Sequence, residues 1–131
     1  MTHAITADEA ITAGIKFTLE NGGSTQSITG MPIPTDGYLV SLGMGNGMSF
    51  DADLLTTDQG WRMAFDFVAT HFRHLSKPGW FLGFWIDTET NLVWLDVTEW
   101  MPNRDAAFRA ASDRDEIAIW DIDKAEEIRV S

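Results

Sequence analysis

The stretch that most restricts the fold is "PGWFLGFWIDTETNLVWLDVTEW", positions 78 to 100. Two apolar runs, 80–86 and 92–98, flank a polar segment, "DTETN". A four-residue loop from Thr88 to Asn91 lets Asn91 take the left-handed conformation that Asn tolerates. Position 87 then faces position 92. Behind that pair Ile86 meets Val93, Trp85 meets Trp94, Phe84 meets Leu95, Gly83 meets Asp96 and Leu82 meets Val97.

Successive side chains of a strand point to opposite faces. One face of this hairpin carries Trp80, Leu82, Phe84, Ile86, Val93, Leu95 and Val97. It is wholly apolar and reads as the core side, covered by the long helix expected over 57–75. The other carries Phe81, Gly83, Trp85, Trp94, Asp96 and Thr98. A slip of one residue would exchange the two faces, and the uniform apolar set argues against it. The second face has three uses open to it. Another segment such as 21–36 can cover it, a second copy of the chain can pack on it, or a ligand or partner can occupy it.

The remainder supplies strands and helices around this hairpin. "GIKFTLE" (14–20) alternates and predicts a half-buried strand, and "GYLVSLG" (37–43) predicts a second. The intervening "NGGSTQSITGMPIPTDG" reads as a long connection. The spacing of Trp61, Ala64, Phe65, Val68, Phe72 and Leu75 predicts one helix over 57–75, with Thr56 and Gln59 forming a capping box and Met63, Phe67 and His74 on a flanking edge. Asn103 predicts the cap of a shorter helix, 103–113. "EIAIWDI" (116–122), apolar on both sides, predicts an interior strand, with "EEIRV" (126–130) returning beside it. The expected architecture is α+β. One domain over 1–131 holds a single antiparallel sheet of about five or six strands, with two helices packed mainly on one face.

Charge narrows the partners. Residues 1–65 carry seven acids against two bases and residues 66–131 carry thirteen against seven, for a net charge of −11. Such a surface repels phosphate backbones, so nucleic acid is not an expected partner. The segment 113–127 holds seven acids and two bases. Its Asp121, Asp123, Glu126 and Glu127 form an expected acidic edge, suited to resisting edge-to-edge aggregation or to meeting a protein with a basic surface. The chain has no Cys, which removes disulfides and thiolate chemistry. No apolar run reaches the roughly 18 residues of a membrane helix. No basic region precedes an apolar one at the N-terminus. A cytoplasmic protein without a membrane partner is expected.

Catalytic motifs are scarce. His71 and His74 lie one helical turn apart, but two ligands fall short of a metal signature. Asp96 is the one carboxylate on the aromatic face, and one carboxylate is not the pair that glycoside hydrolysis uses. Gly43, Gly45 and Gly47 are not followed by a helix start, so a phosphate loop is not supported. No cofactor and no metal site are expected.

"GYLVSL", a helix, "PGWFLGFWID", "LVWLDVTE", a short helix and "IAIWDI" follow one another over about positions 37 to 122. This pattern resembles small acidic uncharacterised proteins of actinobacterial genomes, phages and mobile elements. The resemblance implies an accessory protein of mobile-element origin and carries over no activity and no site residue. The expected function is a non-enzymatic binding or accessory role. It would use the aromatic face (Phe81, Gly83, Trp85, Trp94, Asp96) or the acidic edge, in a chain that self-associates or meets a basic protein. The alternative is a small hydrolase or metal-dependent enzyme using His71, His74 or Asp96.

Overall fold

The computed structural model describes residues 7–43 and 46–130. Gly45 of the glycine-rich segment therefore lies outside the described residues. Helix α1 (Ala7–Asn21) leads into strand β1 (Gly23–Gln26), β2 (Tyr38–Ser41) and β3 (Met48–Asp51). A 3-10 turn (Ala52–Thr56) precedes helices α2 (Asp58–Thr70) and α3 (Phe72–Leu75). The hairpin follows as β4 (Trp80–Asp87) and β5 (Leu92–Met101), and α4 (Arg104–Asp113), β6 (Ala118–Asp121) and β7 (Glu126–Arg129) come after it.

The architecture is α+β around one antiparallel sheet of seven strands, with path order β1-β4-β5-β2-β6-β7. The hairpin register is the one the Asn91 turn requires. Trp85 faces Trp94, Gly83 faces Asp96 and Leu82 faces Val97, and Asn91 holds φ 57°. Long β5 serves two partners on its other edge. Residues 92–95 pair with β3 and residues 98–101 pair with β2. Asp96 lies where the partner changes.

The expected strand over 14–20 is instead the second half of α1. Its buried residues are Ala10, Ile11, Gly14 and Thr18, a helical spacing in which small residues hide the periodicity. The alternating Phe17 and Leu19 point to solvent. Glycine at 14 has a packing reason, because a Cβ there would lie 2.2 Å from the Phe84 ring. Helix α1, and not the expected 57–75 helix, therefore lies directly on β1 and β4, while α2 packs against α1 and the 3-10 turn. The described residues form four α-helices, where the sequence suggests two. Each part of the sheet has its own cover. Ala10, Ile11, Ala64, Phe67 and Val68 join the hairpin's apolar face in one cluster, while Ala107 and Ala111 of α4 meet Val40 and Ile119 in another.

The expected 57–75 helix breaks at His71, which ends α2 and precedes α3. Its cap is Thr57, whose hydroxyl accepts from the Gly60 amide at 3.2 Å; the Thr56–Gln59 box is thus displaced by one residue. The buried face is also rotated. Phe67 is buried while Phe65 and Phe72 are exposed. At the start of α2 only glycine fits position 60, because a Cβ there would fall 2.0 Å from the Leu54 carbonyl oxygen. Helix α4 begins as expected, with Asn103 Oδ1 accepting from the Ala106 amide at 3.0 Å.

Two substitutions on adjacent residues of β4 test the assignment of faces. Phe84→Ala is expected to cost about 3–5 kcal/mol as a core cavity, and Trp85→Ala about 1 kcal/mol or less, the scale of a cross-strand pair. Urea denaturation of both variants checks this. Equal losses would place both side chains in the core.

Candidate functional site

Side chains on the sheet face away from the helices come from strands that are remote in sequence. Leu39 of β2 faces Trp120 of β6, and Trp120 faces Glu127 of β7. Ser41 faces Thr98, and Gly23 of β1 faces Trp85. These rows form a groove of about 580 Å³ lined by Thr25, Ser41, Trp85, Asp96, Thr98, Trp120 and Glu127 among others. Residues of both terminal strands of the path, β1 and β7, line the same groove. The sheet therefore curls, and this face is concave.

Gly83 forms part of the groove floor beside Asp96 and Thr98. A Cβ at position 83 would make only ordinary contacts of 3.8 Å with those two residues. On the other side of Asp96 the chain is tight, since a Cβ at Gly47 would lie 2.7 Å from Asp96 Oδ1. Burial pushes the Asp96 carboxyl above the usual range, opposed by a hydrogen bond with the Ser41 side chain. Burial also raises Glu116, helped by the charge of Asp96 and opposed by Arg114. Arg114 itself is engaged elsewhere. It pairs with Glu99, donates to the Ser41 carbonyl and lies over the Trp80 ring.

The aromatic residues divide along the groove. Trp85 and Trp94 stack with ring centroids 6.2 Å apart and planes inclined by 15°. Trp85 is 46% exposed and Trp120 is 42% exposed, so neither the 21–36 segment nor a neighbouring strand covers them. That segment supplies β1, which extends the sheet beside β4. Phe81, expected on the binding face, is buried and does not line the groove. The structure thus brings together Gly83, Trp85 and Asp96, with Trp94 stacked behind. Thr98, expected on the same face, lines the groove too, and the structure adds Ser41, Trp120 and Glu127, which no pattern in the sequence joins to the hairpin face. The alternation within "IAIWDI" already sets Trp120 opposite Ile119, but the β2–β6 pairing has no local signal.

The acidic edge is partly retained. Asp123, Glu126 and Glu127 are exposed. Asp121 is buried, and its Oδ1 accepts from the Lys124 amide at 3.2 Å, so it shapes the turn into β7.

The two histidines stand apart from Asp96. His71 packs on Phe67 with ring centroids 4.5 Å apart, and His74 on Trp80 at 5.0 Å. Trp80 faces Glu99, on the helix side of the sheet. Burial, then the charge of His74, lowers the pKa of His71. Among the described residues no group of three or more His, Cys, Asp or Glu is placed to hold a metal ion. Among them, too, no helix is long and apolar enough to cross a membrane. No family model matches the chain, and neither the curated proteins nor the solved structures contain a match.

Stability should report the partly buried carboxyl of Asp96 directly. An aspartate ordinarily titrates near 3.8, and folding raises Asp96 above that. Within the interval the folded chain keeps a proton that the unfolded chain has lost, so stability falls as pH rises through it. Asp96→Asn removes the charge. Its Tm is expected to exceed that of the parent chain at neutral pH, with the gain vanishing below pH 3.8. A difference independent of pH would contradict the assignment.

Proposed function

We propose that this chain is a non-enzymatic binding protein whose ligand lies in the groove on the concave sheet face. The observation that carries this reading is the pair of exposed indoles, Trp85 and Trp120, lining one groove whose floor holds a partly buried carboxylate. Ligand sites are concave, of about 300–1,000 Å³, mostly apolar, with a few placed polar groups. Curled antiparallel sheets supply such hollows between their strands. The groove here has that size and that mixture. The hydroxyls of Thr25 and Ser41 can fix orientation, while the indoles provide a large contact area with a polar N–H at one edge.

A hydrolytic or metal-dependent role finds less support, because His71 and His74 lie on the other side of the sheet from Asp96. The exposed Trp85 also suits a contact between two copies of the chain, and light scattering of Trp85→Ala distinguishes that use. An accessory role in a mobile element rests on the sequence resemblance alone.

Gly83→Val is the direct test of the groove. Its Cβ meets only ordinary contacts, and valine favours strands, so stability should change by no more than about 1 kcal/mol. The added methyls fill the floor. In a ligand-observed NMR screen of small aromatic compounds, binders of the parent chain are expected to be lost in Gly83→Val. Binding that persists in this folded variant would place the site elsewhere.

A further inference from the structure

The charges that line the groove are of one sign. Among the described residues, Asp96 and Glu127 are its ionisable groups, and no Lys, Arg or His joins them. Trp120 and Glu127 stand directly opposite one another on β6 and β7, so an indole face and a carboxylate share one wall. Trp85 and Asp96 lie on adjoining strands of the floor. Indole faces attract cations through the ring quadrupole, and more strongly where water is excluded. Carboxylates in the same hollow add to that attraction.

The protein supplies little cation to this place. Arg114, from the segment after α4, directs its guanidinium to Glu99 and the Ser41 carbonyl and over Trp80. Asp96 and the nearby Glu116 repel one another. A positive charge brought in from outside would relieve that repulsion and meet the aromatic faces together. A carboxylate or phosphate ligand would increase the repulsion. A neutral ligand would gain from the indoles alone.

We infer that the groove takes a protonated organic amine with an apolar body, its ammonium against Asp96 and its body along Trp85 and Trp120. This inference rests on the binding reading above and names its ligand class. An ammonium has three donors and can serve Asp96 and a neighbouring hydroxyl together. Ser41, which lines the groove beside Asp96, is the hydroxyl in place, whereas the Thr98 hydroxyl donates to the Phe81 carbonyl. The carboxylate is kept at a site where burial disfavours its charge. Ionisable groups shifted by burial within a cleft are candidates for a functional role.

Isothermal titration of the whole chain at neutral pH tests this with three probes that share a phenyl body. These are phenethylamine, phenethyl alcohol and hydrocinnamate. The amine is expected to bind about tenfold more tightly than the alcohol, the scale of a hydrogen bond to a charged carboxylate. Hydrocinnamate is expected not to bind. Asp96→Asn should bring the amine down to the affinity of the alcohol, and Gly83→Val should abolish both. The probe series on the parent chain stands without any variant. If the alcohol binds as tightly as the amine and both are lost in Gly83→Val, the groove binds ligands but the cation inference is overturned. The cation inference is likewise overturned if Asp96→Asn, folded by circular dichroism, keeps the preference for the amine. If no probe binds the parent chain, or if binding survives Gly83→Val, the inference and the binding reading both fall.

Discussion

At Asn91 the backbone is left-handed, with φ 57°, and its side-chain amide donates to Asp51 and Asp53. The residue thus closes the β4–β5 loop and ties it to the end of β3. Once this loop is closed, Asp87 faces Leu92 and each pair behind it follows in step. A shift of one residue would turn Leu82, Phe84, Val93, Leu95 and Val97 to the other side. All five are buried against the helices. The register also decides what the concave face can contain. Trp85, Gly83 and Asp96 reach the groove only because their neighbours are needed in the core.

The two faces of the sheet obey different rules. On the helix side small residues allow close approach, as Gly14 does beneath Phe84 and Ala107 and Ala111 do over Val40. Burial there is nearly complete, and the polar groups are few. On the concave side large rings stand exposed while a carboxyl is partly buried, the reverse of what stability favours. That arrangement is the basis of the binding reading proposed above. The interruption between β2 and β3 serves this face as well. It passes the Gly47 backbone close by Asp96 and leaves the carboxyl beside a loop instead of a paired strand.

Much of this is legible in the sequence, and the exceptions have physical causes. The hairpin can be read residue by residue because its turn, its apolar face and its period of two agree. Asn103 announces α4 for the same kind of reason. Helix α1 is hidden because "GIKFTLE" alternates by chance, while of the residues that α1 buries only Ile11 is a large apolar one and Ala10, Gly14 and Thr18 are small or polar. The buried face of α2 departs from its apolar stripe because Phe67 joins the cluster formed with α1 and the hairpin while Phe65 stays exposed, packing that no local pattern specifies. Half of the site is visible as the Gly83, Trp85 and Asp96 face. The other half, Ser41 and Trp120, depends on β6 pairing with β2 across α4 and the hairpin. Nothing local specifies that.

The six tryptophans provide a direct test of the central claim, that the concave face is the binding surface. Trp85 and Trp120 line the groove, whereas Trp61 packs on Phe65 of α2 and Trp80 on His74. The indole N–H resonances of the labelled protein report each ring separately. On titration with phenethylamine the account predicts that the signals of Trp85 and Trp120 move together, with one saturation curve, while those of Trp61 and Trp80 stay in place. Movement of Trp61 or Trp80 with Trp85 and Trp120 unchanged would contradict it.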